Sequence, residues 1–66
     1  MILDEQSPVG EPLIERGLLQ SLMDDWSFAI IREEFPSAER LADQIISQAL
    51  RLRRATVMEA EKKKHA

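Results

Sequence analysis

Between about residue 12 and residue 64 apolar side chains recur every three or four positions, and Pro36 alone interrupts that rhythm from within. Leu19, Leu22, Trp26 and Ala29 make one stripe. Leu41, Ile45 and Leu52 make a second, with Ala42, Ile46 and Ala49 beside it. At 3.6 residues per turn each set falls on one face of an α-helix, so the pattern predicts two helices joined by a reversal. Two glycines, three prolines and no tyrosine leave little material for a turn-rich β fold. The expected fold is all-α, a two-helix antiparallel hairpin.

The punctuation sets the expected boundaries. Ser7-Pro8 and Val9-Gly10 carry turn chemistry, which predicts a flexible N-terminal tail over 1–10 and a hairpin over 11–66. Pro12 suits a first helical position, so helix 1 is expected over about 12–34. Gly17 lies inside it, at a cost of about 1 kcal/mol relative to alanine. Asp24-Asp25 followed by Trp26-Ser27 leaves two readings open, a continuous helix or a local break capped by Asp24. Pro36 disfavours the α region at Phe35, which predicts a turn over 35–37 with Ser37 as cap. Helix 2 then runs over about 38–64, with Glu39 in its first turn and Lys62, Lys63 and Lys64 at the negative end of its dipole. A turn at 36 sets residues 50–54 opposite the low twenties and the terminal lysines opposite Glu11.

A chain of 66 residues buries only about 60% of the surface its unfolded form exposes and needs a staple. It has no cysteine, and its one histidine is His65, which removes disulfides, thiolate ligands and any internal imidazole site. Oligomerisation remains, and the hairpin is expected to dimerise into a four-helix bundle. The expected central layers are Leu19, Leu22, Trp26, Ala29, Leu41, Ile45, Ala49 and Leu52. Phe28, Ile31 and Phe35 in the first half, with Ile46, Leu50 and Val57 in the second, widen the apolar surface beyond what one neighbouring helix covers. The same stripes serve a homodimer or a hetero-oligomer.

Charge divides along the chain. Residues 1–36 hold eight acids and two arginines, while residues 37–66 hold seven bases and four acids. Antiparallel packing lays the basic end of helix 2 along the acidic start of helix 1, which accounts for the split without an external ligand.

No catalytic constellation is present. Ser21, Ser27, Ser37 and Ser47 have no internal histidine to activate them. Asp24 and Asp25, like Glu33 and Glu34, point about 100° apart on a helix and form no dyad. Glu11 and Glu15 share a face at i,i+4 and read as surface acids. No enzyme, cofactor or metal is expected. No apolar run exceeds the four residues from Phe28 to Ile31, so no membrane span is expected. Met1-Ile2-Leu3-Asp4-Glu5 lacks the basic then apolar layout of a signal peptide, and the expected location is cytoplasmic.

The expected function is that of a small non-catalytic adaptor, inhibitor or regulatory subunit. It would act through helix–helix contacts, docking Trp26, Ile30, Ile31 and Phe35 into a second protein. The alternative rests on Arg51, Arg53 and Arg54 with Lys62, Lys63 and Lys64, since arginine forks and clustered lysines suit phosphate. In length and expected architecture, though in no motif, the chain resembles the plasmid copy-number regulator Rop. That resemblance implies a helical dimer binding RNA or DNA through the basic end of helix 2. The net charge of −3 and the acidic pI near 5.0 weigh toward the first reading.

Overall fold

The computed structural model describes residues 9–64. They form two α-helices, α1 (Pro12–Ile31) and α2 (Phe35–Lys64), packed against each other with no strand among the described residues. Residues 1–8 of the expected tail, together with His65, lie outside the described residues. Val9 and Gly10 are described, and they do not stand away from the hairpin. Val9 is half-buried, and the Gly10 N–H donates to the Glu15 carboxylate.

Helix α1 opens where its proline predicts. The Glu11 carbonyl accepts from the N–H groups of Ile14 and Glu15, both at 3.0 Å, and Pro12 occupies the first helical position, where an N–H would have no intrahelical partner. The helix then runs unbroken through Asp24-Asp25. Asp24 accepts from the Gln20 side chain one turn earlier, and the Ser27 hydroxyl donates to the Met23 carbonyl, so neither group caps a new start.

The reversal comes earlier than proline chemistry suggests. It occupies residues 32–34, not the expected 35–37, and Phe35-Pro36-Ser37 forms the first turn of α2. The Glu34 carbonyl accepts from the Ala38 N–H at 2.9 Å, which makes Phe35 and Pro36 the first two helical residues. A proline there loses only a donor that a helix start leaves unpaired. With the start moved back, Glu39 falls beyond the first turn. The actual stop of α1 is a Schellman motif: Glu33 N–H donates to the Ile30 carbonyl at 3.0 Å and Glu34 N–H to the Ala29 carbonyl at 2.8 Å. The motif requires a left-handed residue, and Glu33 supplies it at φ 61°. Glycine is usual at such a position, which is why the stop leaves no compositional mark here.

An earlier turn changes which residues meet. Gln48 and Arg51 lie against Glu15, so residue 51 faces the first turn of α1, not the low twenties. The seam of α1 follows Glu15, Leu19, Leu22, Trp26 and Ala29. That of α2 follows Ala38, Leu41, Ile45, Gln48, Leu52, Ala55 and Glu59, in alternating steps of three and four. Ala29, Ala38 and Ala55 are buried, while Leu19, Leu22, Leu41, Ile45 and Leu52 are half-buried.

Two expected core residues are exposed. Ala49 is exposed, because the step from Ile45 lands on Gln48. Trp26 keeps 38% of its surface accessible: small residues at 29 and 38 bring the helices close near the turn, and an indole is left at the edge of the contact. Helix α2 has 30 residues against 20 in α1, so its last turns extend beyond the start of α1, where they line a cleft with the segment 9–12.

Two substitutions test the backbone account. Glu33→Gly removes the left-handed penalty and is expected to raise stability by about 1 kcal/mol. Gly17→Ala is expected to gain a similar ~0.8–1 kcal/mol, since a methyl group there meets nothing within 4 Å. Urea denaturation followed by circular dichroism measures both; a loss at either position contradicts the assigned conformation.

Candidate interaction surface

A tightly built polar site lies in the seam. Glu15 is only 2% exposed. Oε1 accepts from Gln48 Nε2 at 2.6 Å and from Arg51 Nε at 3.4 Å; Oε2 accepts from the Gly10 N–H at 2.7 Å and from Arg51 Nη2 at 3.5 Å. The same Gln48 amide donates to the Glu15 main-chain carbonyl at 3.0 Å, so both of its hydrogens go to one residue. No described buried side-chain polar atom is left without a partner. The Gly10 N–H holds the carboxyl below its ordinary range, with Gln48 and then Arg51 adding to the effect, while burial opposes it.

This network contradicts the reading of Glu15 as a surface acid. The signal that places it inside is phase. Glu15 precedes Leu19 by four and Leu22 by seven, and Gln48 lies three beyond Ile45 and four before Leu52. Each helix thus carries a polar residue between apolar members of its stripe, and the two meet. Their chemistry suits an internal tie between three segments, with every lone pair spent on protein donors.

The remaining surface is unusually apolar. Among the described residues no large side chain is fully buried, and Leu13, Ile14, Leu18, Met23, Phe28, Ile31, Phe35, Ile46, Leu50, Val57 and Met58 are all exposed to about half or more of their surface. Advancing 100° per residue from the seam, with α2 running the opposite way, sorts them onto two sides of the hairpin. Leu19, Met23 and Ile30 share one broad side with Ala42, Ile46 and Ala49. Ile14, Leu18 and Phe28 share the other with the polar Gln44, Ser47 and Arg51, where Leu22, Asp43 and Gln48 complete an open depression.

The residues expected to dock a partner divide accordingly. Trp26, Ile30 and Phe35 fall on the broad side, with Ile30 half-buried; Ile31, 76% exposed, lies one step round on the face of α1 turned away from α2. The basic residues divide too. Arg51 is half-buried against Glu15, Arg53 and Arg54 flank an outer depression with Leu50 and Val57, and Lys62 lines a cleft with Gly10, Pro12, Ala55 and Met58. Lys63 and Lys64 are exposed beyond them. The six form a band along half of α2, not one compact patch.

Among the described residues no group of three or more acidic, histidine or cysteine side chains could hold a metal ion, and no helix is long and apolar enough to cross a membrane. Compared with known protein families, curated proteins and solved structures, the chain matches none of them.

Two measurements address the buried tie. Gln48→Ala removes the shortest donor to the carboxylate and is expected to lower the melting temperature by roughly 5–10 °C. Because the folded-state pKa of Glu15 is lowered, its contribution is complete above the ordinary glutamate value of about 4.3 and fades as pH falls through the lower folded value. Glu15→Gln is therefore expected to melt below the wild type at pH 7, with the gap narrowing as pH falls below the ordinary glutamate value. A gap that does not narrow on acidification contradicts the assignment.

Proposed function

We propose that this chain is a non-catalytic helical module, an adaptor or regulatory subunit that works through helix–helix contacts after pairing with a second copy into a four-helix assembly. One observation carries the reading. Among the described residues the hairpin buries three alanines as its apolar core, while eleven larger apolar side chains stay about half exposed or more. Two helices side by side form a slab one helix thick, and among the described residues neither broad side has a second layer to cover it. At about 25 cal/mol per Å² of apolar area, covering such a face is the largest stabilising term open to a chain of this size. Trp26 and Ile30 would then stand beside the self-association surface as contacts for a second protein, and the acids of α1 would guide its approach.

The Rop-like alternative, RNA or DNA held by Arg53, Arg54 and the terminal lysines, draws support from the exposed position of Arg53, Lys63 and Lys64. Against it stand the engagement of Arg51 by Glu15 and the acidic balance of the chain.

Sedimentation equilibrium and circular dichroism of the full chain at micromolar concentration test the first reading. A helical dimer or tetramer is the expected result. A monomer of low helicity at 100 μM would overturn self-association. Nucleic-acid binding that falls steeply between 50 and 200 mM salt would favour the alternative.

A further inference from the structure

The self-association reading leaves open which face pairs with which, and α2 carries a pattern that answers this. Its outward stripe, well round the helix from the seam, is centred on Ile46, which is 60% exposed. Counting outward from that residue, positions four away are Ala42 and Leu50, positions seven away are Glu39 and Arg53, and positions eleven away are Phe35 and Val57. Every step is three or four, so all seven lie along one face. The order is a palindrome by chemical class: apolar, charged, small or apolar, and then the mirror of these.

The charged pair is the informative part. Glu39 and Arg53 have opposite signs and are both exposed. Neither has an opposite charge three or four positions away on its own helix: Glu39 has Phe35, Pro36, Ala42 and Asp43 there, and Arg53 has Ala49, Leu50, Thr56 and Val57. By contrast, Arg40 has Asp43, and Glu59 has Lys62 and Lys63. An isologous two-fold contact is the arrangement in which residue i meets j and j meets i. With the axis through Ile46 and the two α2 helices antiparallel, Glu39 of each copy faces Arg53 of the other. Phe35 then packs on Val57 and Ala42 on Leu50, with Ile46 meeting itself on the axis.

We infer that the partner of this face is a second copy of the same chain, joined α2 to α2 in antiparallel fashion about Ile46 and locked by two symmetry-related Glu39–Arg53 ion pairs. The inference rests on the self-association reading above and deepens it. The two hairpin turns lie at opposite ends of such a dimer, and α1 of each copy sits on the outside. Leu13 and Ile31, on the far face of α1, remain available to other proteins.

The native sequence has no cysteine, which makes the test direct. Under mild oxidation Ile46→Cys is expected to yield a disulfide-linked dimer in high yield, because a residue on the axis meets its own copy within disulfide reach. Leu13→Cys, 78% exposed on the opposite side, is expected to remain largely unlinked. Glu39→Arg and Arg53→Glu are each expected to weaken dimerisation about tenfold by sedimentation, and the double exchange to restore it, with helicity followed throughout. A wild-type dimer in which position 46 does not cross-link, or which both single exchanges leave intact, overturns this interface while leaving self-association standing. Weakening that the double exchange fails to rescue also overturns it. A monomeric wild type removes both.

Discussion

The Glu15 carboxylate decides how this molecule is put together. It lies in the seam between two helices, and its donors come from the chain segment before α1 and from two successive turns of α2. A charge in an apolar contact without such donors is disfavoured, so sliding one helix along the other by a turn would strand the carboxylate and leave Gln48 without its acceptors. Leucine and isoleucine stripes tolerate such slips, since one apolar step resembles the next. The pairing of Glu15 with Gln48 favours one register for the hairpin, in the way a lone asparagine does in a coiled coil. The same carboxylate draws Gly10 against the helix, which is why the described residues before Pro12 are not a free arm.

Much of the architecture is legible in the sequence, and the failures have physical causes. Two helices and their pairing follow from the spacing of Leu19, Leu22, Leu41, Ile45 and Leu52, and the start of α1 follows from Pro12. The turn does not, because its key residue is a glutamate in a conformation that glycine normally signals, while the proline that draws attention sits comfortably inside the next helix. Three residues of error at the turn shift the opposing helix by about six, enough to hide the meeting of Glu15 with Gln48 and Arg51. The seam of α2 is missed for a related reason. A search for apolar residues alone passes over Gln48 and settles on Ala49, although the three–four alternation through Ala38, Leu41, Ile45, Leu52 and Ala55 points to position 48. Trp26 shows the opposite limit: its phase is right, but the alanines near the turn leave no space for its volume.

The surface left over is as informative as the contact. Side chains as large as Phe28, Phe35 and Ile46 stand in solvent, while the described apolar residues that are fully buried are alanines. Small residues let two backbones approach, which makes a thin contact and leaves the larger groups to the outside. Ala29, Ala38 and Ala55 are buried, while Ile14, Ile31 and Ile46 stay exposed. In the proposed dimer the two-fold stripe of α2 supplies part of a second layer, and the far face of α1 is left as the place where a different protein can attach.

Helix α2 outlasts its neighbour, and that mismatch has a dynamic consequence. From Thr56 onward its amides are held by helical hydrogen bonds with little of α1 above them, so opening this end exposes little apolar area and costs little free energy. Backbone amides there exchange with solvent through local fraying, whereas those around Ile45 and Gln48 exchange only when the two helices part. The lysine-bearing end is thus a segment whose helicity can be gained or lost without disturbing the register fixed at Glu15, and any molecule that captures it stabilises structure locally instead of remodelling the hairpin.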